Sequence, residues 1–261
     1  MKIRDIIEHL EVFAPPVFQE AYDNSGLITG NAFNDCNGVM ICLDCTEEAV
    51  DEAIANNCNL IISHHPLIFR PIRNVSPDSG TGRTLIASIK SDIAVYAIHT
   101  NLDNMLSGVN KTIADKLGLL NRKILAPKEG FQGIGSGMIG DLAGPCSELD
   151  FLGRLREAFK TPVIRHSPLS GRVVNRIALC GGAGSFLISN ALKEEADFFI
   201  SADIRYHEFF DGEGKMVIAD VGHFESEQFT VDLLLEVILE KFPNFAVLKS
   251  GTLSNPVNYY I

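Results

Sequence analysis

At 261 residues, with 46% hydrophobic and 21% charged positions, the chain has the composition of an ordinary globular protein and enough length to bury a substantial core. Its formal net charge of −11, with no basic cluster, excludes a mainly electrostatic grip on DNA, RNA or an anionic membrane, because phosphate binding needs concentrated Lys and Arg. No apolar run approaches the roughly eighteen residues of a membrane span, and Asp5 and Glu8 stand where a signal peptide would carry its apolar core, so a cytoplasmic address is expected.

The first strand along the chain is Val39–Leu43, followed by a helix with Ala49, Val50, Ala53 and Ile54 on one face and by a second short strand, Leu60–Ser63. After His64-His65 comes a loop from Pro66 to Gly82, rich in Pro and Gly, placed where a lid over that histidine pair would lie. The strand Ala94–Ile98 ends in His99, and a helical pattern runs from Val109 to Leu117. Residues 121 to 175 carry a short alternating stretch, Ile134–Leu142, and a helix, Phe151–Phe159. The strand Ile177–Cys180 then leads through Gly181–Ser185 into a helix with Leu187, Ile188, Ala191 and Leu192 on one face. Next come the strands Phe198–Ser201 and Ile218–Val221 and a final helical pattern, Phe229–Leu239.

This order is written twice. Val39 and Ile177, Ala53 and Ala191, and Ser63 and Ser201 are each 138 positions apart with no gap between them, whereas His99 and His223 are 124 apart. The missing residues fall in the Pro66–Gly82 loop. Short apolar strands alternating with helices imply β-α-β units with mainly parallel strands. The expected fold is therefore α/β: two similar three-layer halves related by internal duplication, residues 1–125 and 126–261. A metal site between the halves, at the strand carboxyl ends, completes that expectation, and the C-terminal segment is a candidate to pack on the first half.

Six cysteines lie at 36, 42, 45, 58, 146 and 180. Cys42 and Cys45 have metal or redox spacing but no second ligand pair, and Cys42 lies within an apolar strand, so a buried structural role is expected. The turn Gly181–Ser185 lacks a dinucleotide fingerprint and a P-loop lysine, and a plain tight turn is expected there.

In parallel α/β sheets, functional groups collect after the strand carboxyl ends. Three ends here carry metal-ligand chemistry: His64-His65 after Ile62-Ser63, His99 to Asp103 after Ile98, and His223 to Glu227 after Val221-Gly222. The last two share a His-x-x-x-acid pattern. Imidazole with carboxylate suits Zn, Mn or Fe in a catalytic site. Five ligands, His64, His65, Asp103, His223 and Glu227, exceed what one tetrahedral ion needs and suit two ions sharing one acid. His99 stands equally as an orienting group, a general acid or base, or a buried hydrogen-bonded histidine. His207 and Tyr206, beyond the strand end Ser201, are candidates for acid/base or substrate contact.

Together, Tyr22–Leu27, Ile62–Phe69, Ile98–Asp103 and Gly222–Glu227 resemble the Nif-three-like family, whose members are labelled GTP cyclohydrolase I type 2 homologues or dinuclear metal centre hexameric proteins. The likeness covers residue 1 to about Val257, in the short form without an inserted domain. It implies two divalent ions per subunit (Zn, Fe or Mn), one held by His65, Asp103 and Glu227 and the other by His64, His223 and the same Glu227. It also implies a toroidal homohexamer. One departure is Tyr22, where members commonly carry Trp, a change in packing or cavity wall. The functional expectation is a metal-dependent hydrolase of a small-molecule or nucleotide substrate, with His99 and His207 as acid/base groups. A metal-dependent scaffold or regulatory interaction protein without turnover is the alternative, and a metal store is disfavoured by so few ligands.

Overall fold

The computed structural model describes residues 1–260 as a mixed α/β protein. In chain order its elements are α1 (Ile3–Phe13), β1 (Gly26–Thr29), β2 (Val39–Cys42), α2 (Glu47–Ala55), β3 (Leu60–Ser63), α3 (Gly80–Lys90), β4 (Ala94–Ala97), α4 (Thr100–Asp103) and α5 (Val109–Lys116). There follow β5 (Leu120–Pro127), β6 (Gly135–Ser147), α6 (Glu148–Phe159), β7 (Arg165–His166), β8 (Val173–Ala183), α7 (Ile188–Lys193), β9 (Phe198–Ala202), β10 (Val217–Asp220), α8 (His223–Glu227), α9 (Thr230–Lys241) and β11 (Val247–Lys249). Contact density divides the described chain into two units. Unit 1 is Met1–Leu102 with Thr230–Pro256, and unit 2 is Asp103–Phe229 with the C-terminal residues from Val257.

Unit 1 is built on a sheet of order β1-β4-β3-β2-β11, in which β11, β2, β3 and β4 run parallel and β1 is an antiparallel edge. Every residue of β2, β3 and β4 is buried, as expected of strands covered on both faces. Met40, Cys42, Ile61 and Val95 pack on one face with Ala49, Val50 and Ala53 of α2. The alternate residues face the other way, where the Tyr96 hydroxyl donates to Glu11 of α1 at 3.2 Å, and His9 of α1 meets Phe242 edge-on. Helix α1 adds to the elements expected from sequence, and its Ile3, Ile6, Ile7 and Leu10 form a buried stripe at helical spacing. Helix α3 is a second addition, hidden in the sequence because Gly80 and Gly82 look like turn residues. Ser79 caps that helix by accepting from the Gly82 amide, so the loop expected to reach Gly82 stops at the cap.

Unit 2 departs from a mainly parallel sheet. Its order is β5-β6-β8-β9-β10-β7, and only β8, β9 and β10 are parallel. β5 and β6 are joined by a short connection, which permits antiparallel pairing. A boundary at 125/126 would cut β5, whose residues Leu120 to Pro127 pair with β6, so the stretch from Asp103 belongs with unit 2. The chain returns to unit 1 at Thr230, and β11 pairs with β2.

The duplication is visible in strand register. Val39 pairs with Leu60 and Ile177 with Phe198, the same register 138 residues on. At the next strand the two units differ. The Ile98 amide donates to Ser63 and the Val221 amide to Ser201, so these equivalents are 123 apart rather than 124. One extra residue therefore enters before His223. Gly222 stands there with φ +93, a conformation that side chains with a Cβ resist.

Phe151 of α6 meets Phe198 of β9 with ring centroids 4.9 Å apart, both fully buried. Phe151→Ala should destabilise the chain by about 3–5 kcal/mol, read as a lower midpoint in chemical denaturation.

Candidate metal centre

In unit 1 the parallel order of β2, β3 and β4 brings their carboxyl ends side by side, and each end delivers a polar group. The His64 amide donates to Cys42 at the end of β2 and the His65 amide to Leu43 just beyond it, which continues the sheet pairing past Ser63. The His64 ring is fully buried, with Nδ1 2.9 Å from the Ile98 carbonyl oxygen. His65 Nδ1 lies 2.7 Å from Oδ1 of Asp44, two residues past β2, and Ser254 donates to the other Asp44 oxygen. Burial pushes the Asp44 carboxyl up, but the hydrogen bond and charge of His65 outweigh it, so its pKa falls below the ordinary value.

His99 is held in the same way by Asp23. Nδ1 lies 2.8 Å from Asp23 Oδ1, which also accepts from the Asn24 amide at 2.7 Å. Asp23 Oδ2 accepts from the Ser25 hydroxyl and from both the amide and the hydroxyl of Thr100. Burial opposes ionisation of Asp23, yet these donors hold its carboxyl well below the usual carboxylate range. The rings of His64, His65 and His99 have centroids 5.0, 5.3 and 5.4 Å apart. One ring nitrogen from each lies within 4.8 Å of the other two, a group able to hold a metal ion. Phe69 covers His99 at 6.0 Å and meets Tyr22 at 6.3 Å, so the Tyr22 position packs against the loop that follows His65. A cleft of about 350 Å³ opens beside His65, with Asp44, Thr46, Glu48 and Arg83 among its walls.

Unit 2 carries the acids and the fourth histidine. His223 and Glu227 lie one turn apart on α8 with Nε2 and Oε2 3.0 Å apart. His223 Nδ1 is 2.8 Å from Asp203, the residue just past β9 and the repeat equivalent of His65. Burial disfavours a charged His223 ring, but hydrogen bonds to Asp203 and Glu227 prevail and push its pKa up to about 11. The glycine run expected to form a plain turn instead makes room for the carboxylate. A Cβ on Gly182 would stand 2.3 Å from Glu227 Oε1, and its φ is +61. The Gly182 amide donates to Ser226 on α8, fixing that approach. Asn110 bonds the Asp103 carbonyl and receives the Gly181 amide, which ties Asp103 to the same strand end. Burial pushes up the Cys180 pKa, and the Asp103 and Glu227 charges push it further, leaving an unreactive thiol beside both acids.

Thus His64, His65 and His99 gather in unit 1, while His223, Glu227 and Asp103 gather in unit 2. His207 lies on an exposed 3-10 turn, its ring edge-on to Tyr206 at 5.1 Å. The acceptors Asp23, Asp44 and Asp203 are not among the residues singled out from sequence. Asp44 and Asp203 do carry a signal, since each is an acid within two residues of the end of a buried strand. All six cysteines are free thiols, and Cys42 and Cys45 sit in the unit 1 core.

The profile of the family described as Duf34/NIF3 (NGG1p interacting factor 3) matches residues 1–256. The chain belongs to the Duf34/NIF3 family. Among curated relatives, a GTP cyclohydrolase 1 type 2 homolog of Clostridium acetobutylicum is 32% identical over 253 residues, covering 96% of this chain and 92% of the relative. The protein of the same name from Clostridium perfringens is 34% identical over 229 residues, covering 87% of each. Among solved structures, a hypothetical protein of Staphylococcus aureus superposes with a TM-score of 0.92 at 28% identity, covering 100% of this chain and 99% of that one. Among the described residues of this Duf34/NIF3 chain, no helix is long and apolar enough to cross a membrane.

Gly182→Ala should displace the Glu227 carboxylate and lower stability by about 1–3 kcal/mol, the cost of a strained backbone position, read as a lower melting temperature. With its pKa pushed up to about 11, a His223 ring that takes a cation must first give up a proton. Divalent-ion affinity should therefore weaken as pH falls from 9 toward 6, by up to about tenfold per unit for one proton, and metal addition to weakly buffered protein should release protons to an indicator dye.

Proposed function

We propose that the chain is a dinuclear divalent-metal protein that acts as a metal-dependent hydrolase. The observation that carries the metal reading is common to four histidines. Each of His64, His65, His99 and His223 has Nδ1 held by a carbonyl or carboxylate oxygen, which fixes the ring and makes Nε2 the nitrogen that the neutral ring would offer a cation. Following the family likeness, one ion would use His65, Asp103 and Glu227, and the other His64, His223 and the same Glu227. The donor set of imidazoles and carboxylates fits Zn, Fe or Mn.

Two such ions, when bound, supply Lewis acidity that activates water and polarises the bond under attack. The residues of this chain then have distinct tasks. Asp44, Asp23 and Asp203 fix ring orientation and make the imidazoles better donors. His99, backed by Asp23, is placed to accept a proton and return it. The cleft beside His65 gives a small substrate room next to the ligands. His207, being exposed, would serve only a substrate that reaches that surface. The relatives' name, GTP cyclohydrolase 1 type 2 homolog, suggests a nucleotide as the first substrate class to test. The hexamer associated with the family likeness is part of the same proposal.

A second reading has one observation of its own: the family description names an interacting factor. In that case the metal centre would stabilise a surface for a partner rather than turn over substrate.

Glu227→Gln should lower bound metal from two ions per chain and abolish turnover; two ions retained would rule out Glu227 as the bridge. Metal-loaded protein should hydrolyse members of a nucleotide and phosphoester panel, with His64→Ala reducing the rate at least 100-fold. Turnover indifferent to His64→Ala would remove the hydrolase reading, whereas partner capture lost only with the metal would favour the scaffold.

A further inference from the structure

Asn37-Gly38 is the one Asn-Gly pair in the chain. It leads into β2, the strand held between β3 and β11 in the unit 1 sheet, and lies outside the metal reading. Asparagine is a chemically labile residue, and its stability depends on what its carboxamide and the next amide are doing. Asn37 is exposed, and its carboxamide makes no hydrogen bond among the described residues. The Gly38 amide has no acceptor among them either, although Gly38 is buried, and unpaired amides in buried residues are uncommon. An electrophilic carbon and an unengaged nitrogen thus stand in adjacent residues, with no Cβ on Gly38 to crowd their approach.

Other asparagines lack these conditions. Asn24 also precedes a small residue, but its Nδ2 donates to the Ile68 carbonyl at 2.7 Å and the Ser25 amide donates to Gln19 Oε1 at 2.9 Å. Asn57 precedes Cys58, whose amide donates to the Ala53 carbonyl at 2.9 Å. Packing, meanwhile, requires the glycine. A Cβ on Gly38 would stand 3.1 Å from Cys58 Sγ and 3.5 Å from the Ala246 carbonyl oxygen.

We propose that Asn37 is a site of spontaneous isoaspartate formation in the folded chain, and that the conversion loosens β11 from β2. The Gly38 nitrogen, giving up its proton to hydroxide, attacks Asn37 Cγ. The new N–Cγ bond replaces the bond from Cγ to Nδ2, and Nδ2 leaves as ammonia. Water then opens the succinimide ring. Cleavage at the Asn37 main-chain carbonyl leaves the chain running through Cγ, as isoaspartate, and cleavage at Cγ leaves aspartate. The balance is one water taken up for one ammonia lost, with no oxidant or reductant. Isoaspartate adds one carbon to the main chain and a negative charge near Asp35, which pairs with Lys2 at 2.8 Å. The added carbon enters just before the Gly38 carbonyl, which accepts from the Asn59 and Leu60 amides, and the Val39 amide, which donates to Ala246. β11, a three-residue edge strand that begins directly after Ala246, has the least pairing with which to absorb that shift.

The test ages the full chain at mildly alkaline pH, labels it with an isoaspartate-specific methyltransferase and maps its peptides by mass spectrometry. Isoaspartate should form at residue 37 roughly tenfold faster than at any other asparagine, at a rate that rises with hydroxide concentration. Asn37→Gln should abolish that labelling. Amide hydrogen exchange in Val247–Lys249 should be roughly tenfold faster in the aged chain than in the fresh one, and unchanged by ageing in Asn37→Gln. Labelling as fast at Asn24, or labelling at residue 37 only after the chain is unfolded in urea, overturns the site. A converted chain whose β11 exchange matches that of the fresh chain overturns the loosening.

Discussion

The hydrogen bond from an imidazole Nδ1 to a fixed oxygen is the constraint around which both units are arranged. A histidine ring can rotate and can carry its proton on either nitrogen, so a ligand-grade imidazole needs a partner that settles both. In unit 1 the partners are a strand-end carbonyl, Ile98, and two carboxylates, Asp44 and Asp23, of which Asp23 is itself locked by Thr100, Ser25 and Asn24. In unit 2 the partner is Asp203. Buried strands fix where those oxygens lie, so sheet register sets the aim of each ring.

The duplicated frame is filled with unlike chemistry. At the equivalent of His65, unit 2 has Asp203, a carboxylate that holds the ring of another histidine, His223. At the equivalent of Asp44 it has Gly182, which lets a carboxylate approach where unit 1 places one. The one-residue offset at Gly222 belongs to the same divergence: the strand pairing is kept while the residues after it are re-spaced. Symmetry thus survives in the backbone ladder and is lost among the side chains that do chemistry.

Much of this is legible in the amino-acid sequence. His64-His65, His99, Asp103, His223 and Glu227 stand out because chemically active residues sit directly after buried apolar runs, and strand pairing preserves that adjacency. The repeat is legible for the same reason, since β2-α2-β3 and β8-α7-β9 align without gaps. Asp23 is not legible as the partner of His99, because 76 residues separate them and only tertiary folding joins them. β11 escapes notice because a three-residue strand carries little pattern. A boundary near residue 126 falls inside β5, a mostly exposed strand whose pairing to β6 has no apolar pattern to announce it.

The path of the chain has a consequence for the order of events in synthesis. Unit 1 is discontinuous: β11 must pair with β2, and Glu52 receives the amide of Gly251. Ser254 donates to Asp44, which orients His65. A ribosome must therefore translate past Ser254, far beyond the histidine pair itself, before that pair is fully set. The geometry around His65 is therefore a property of the completed polypeptide and not of its first hundred residues.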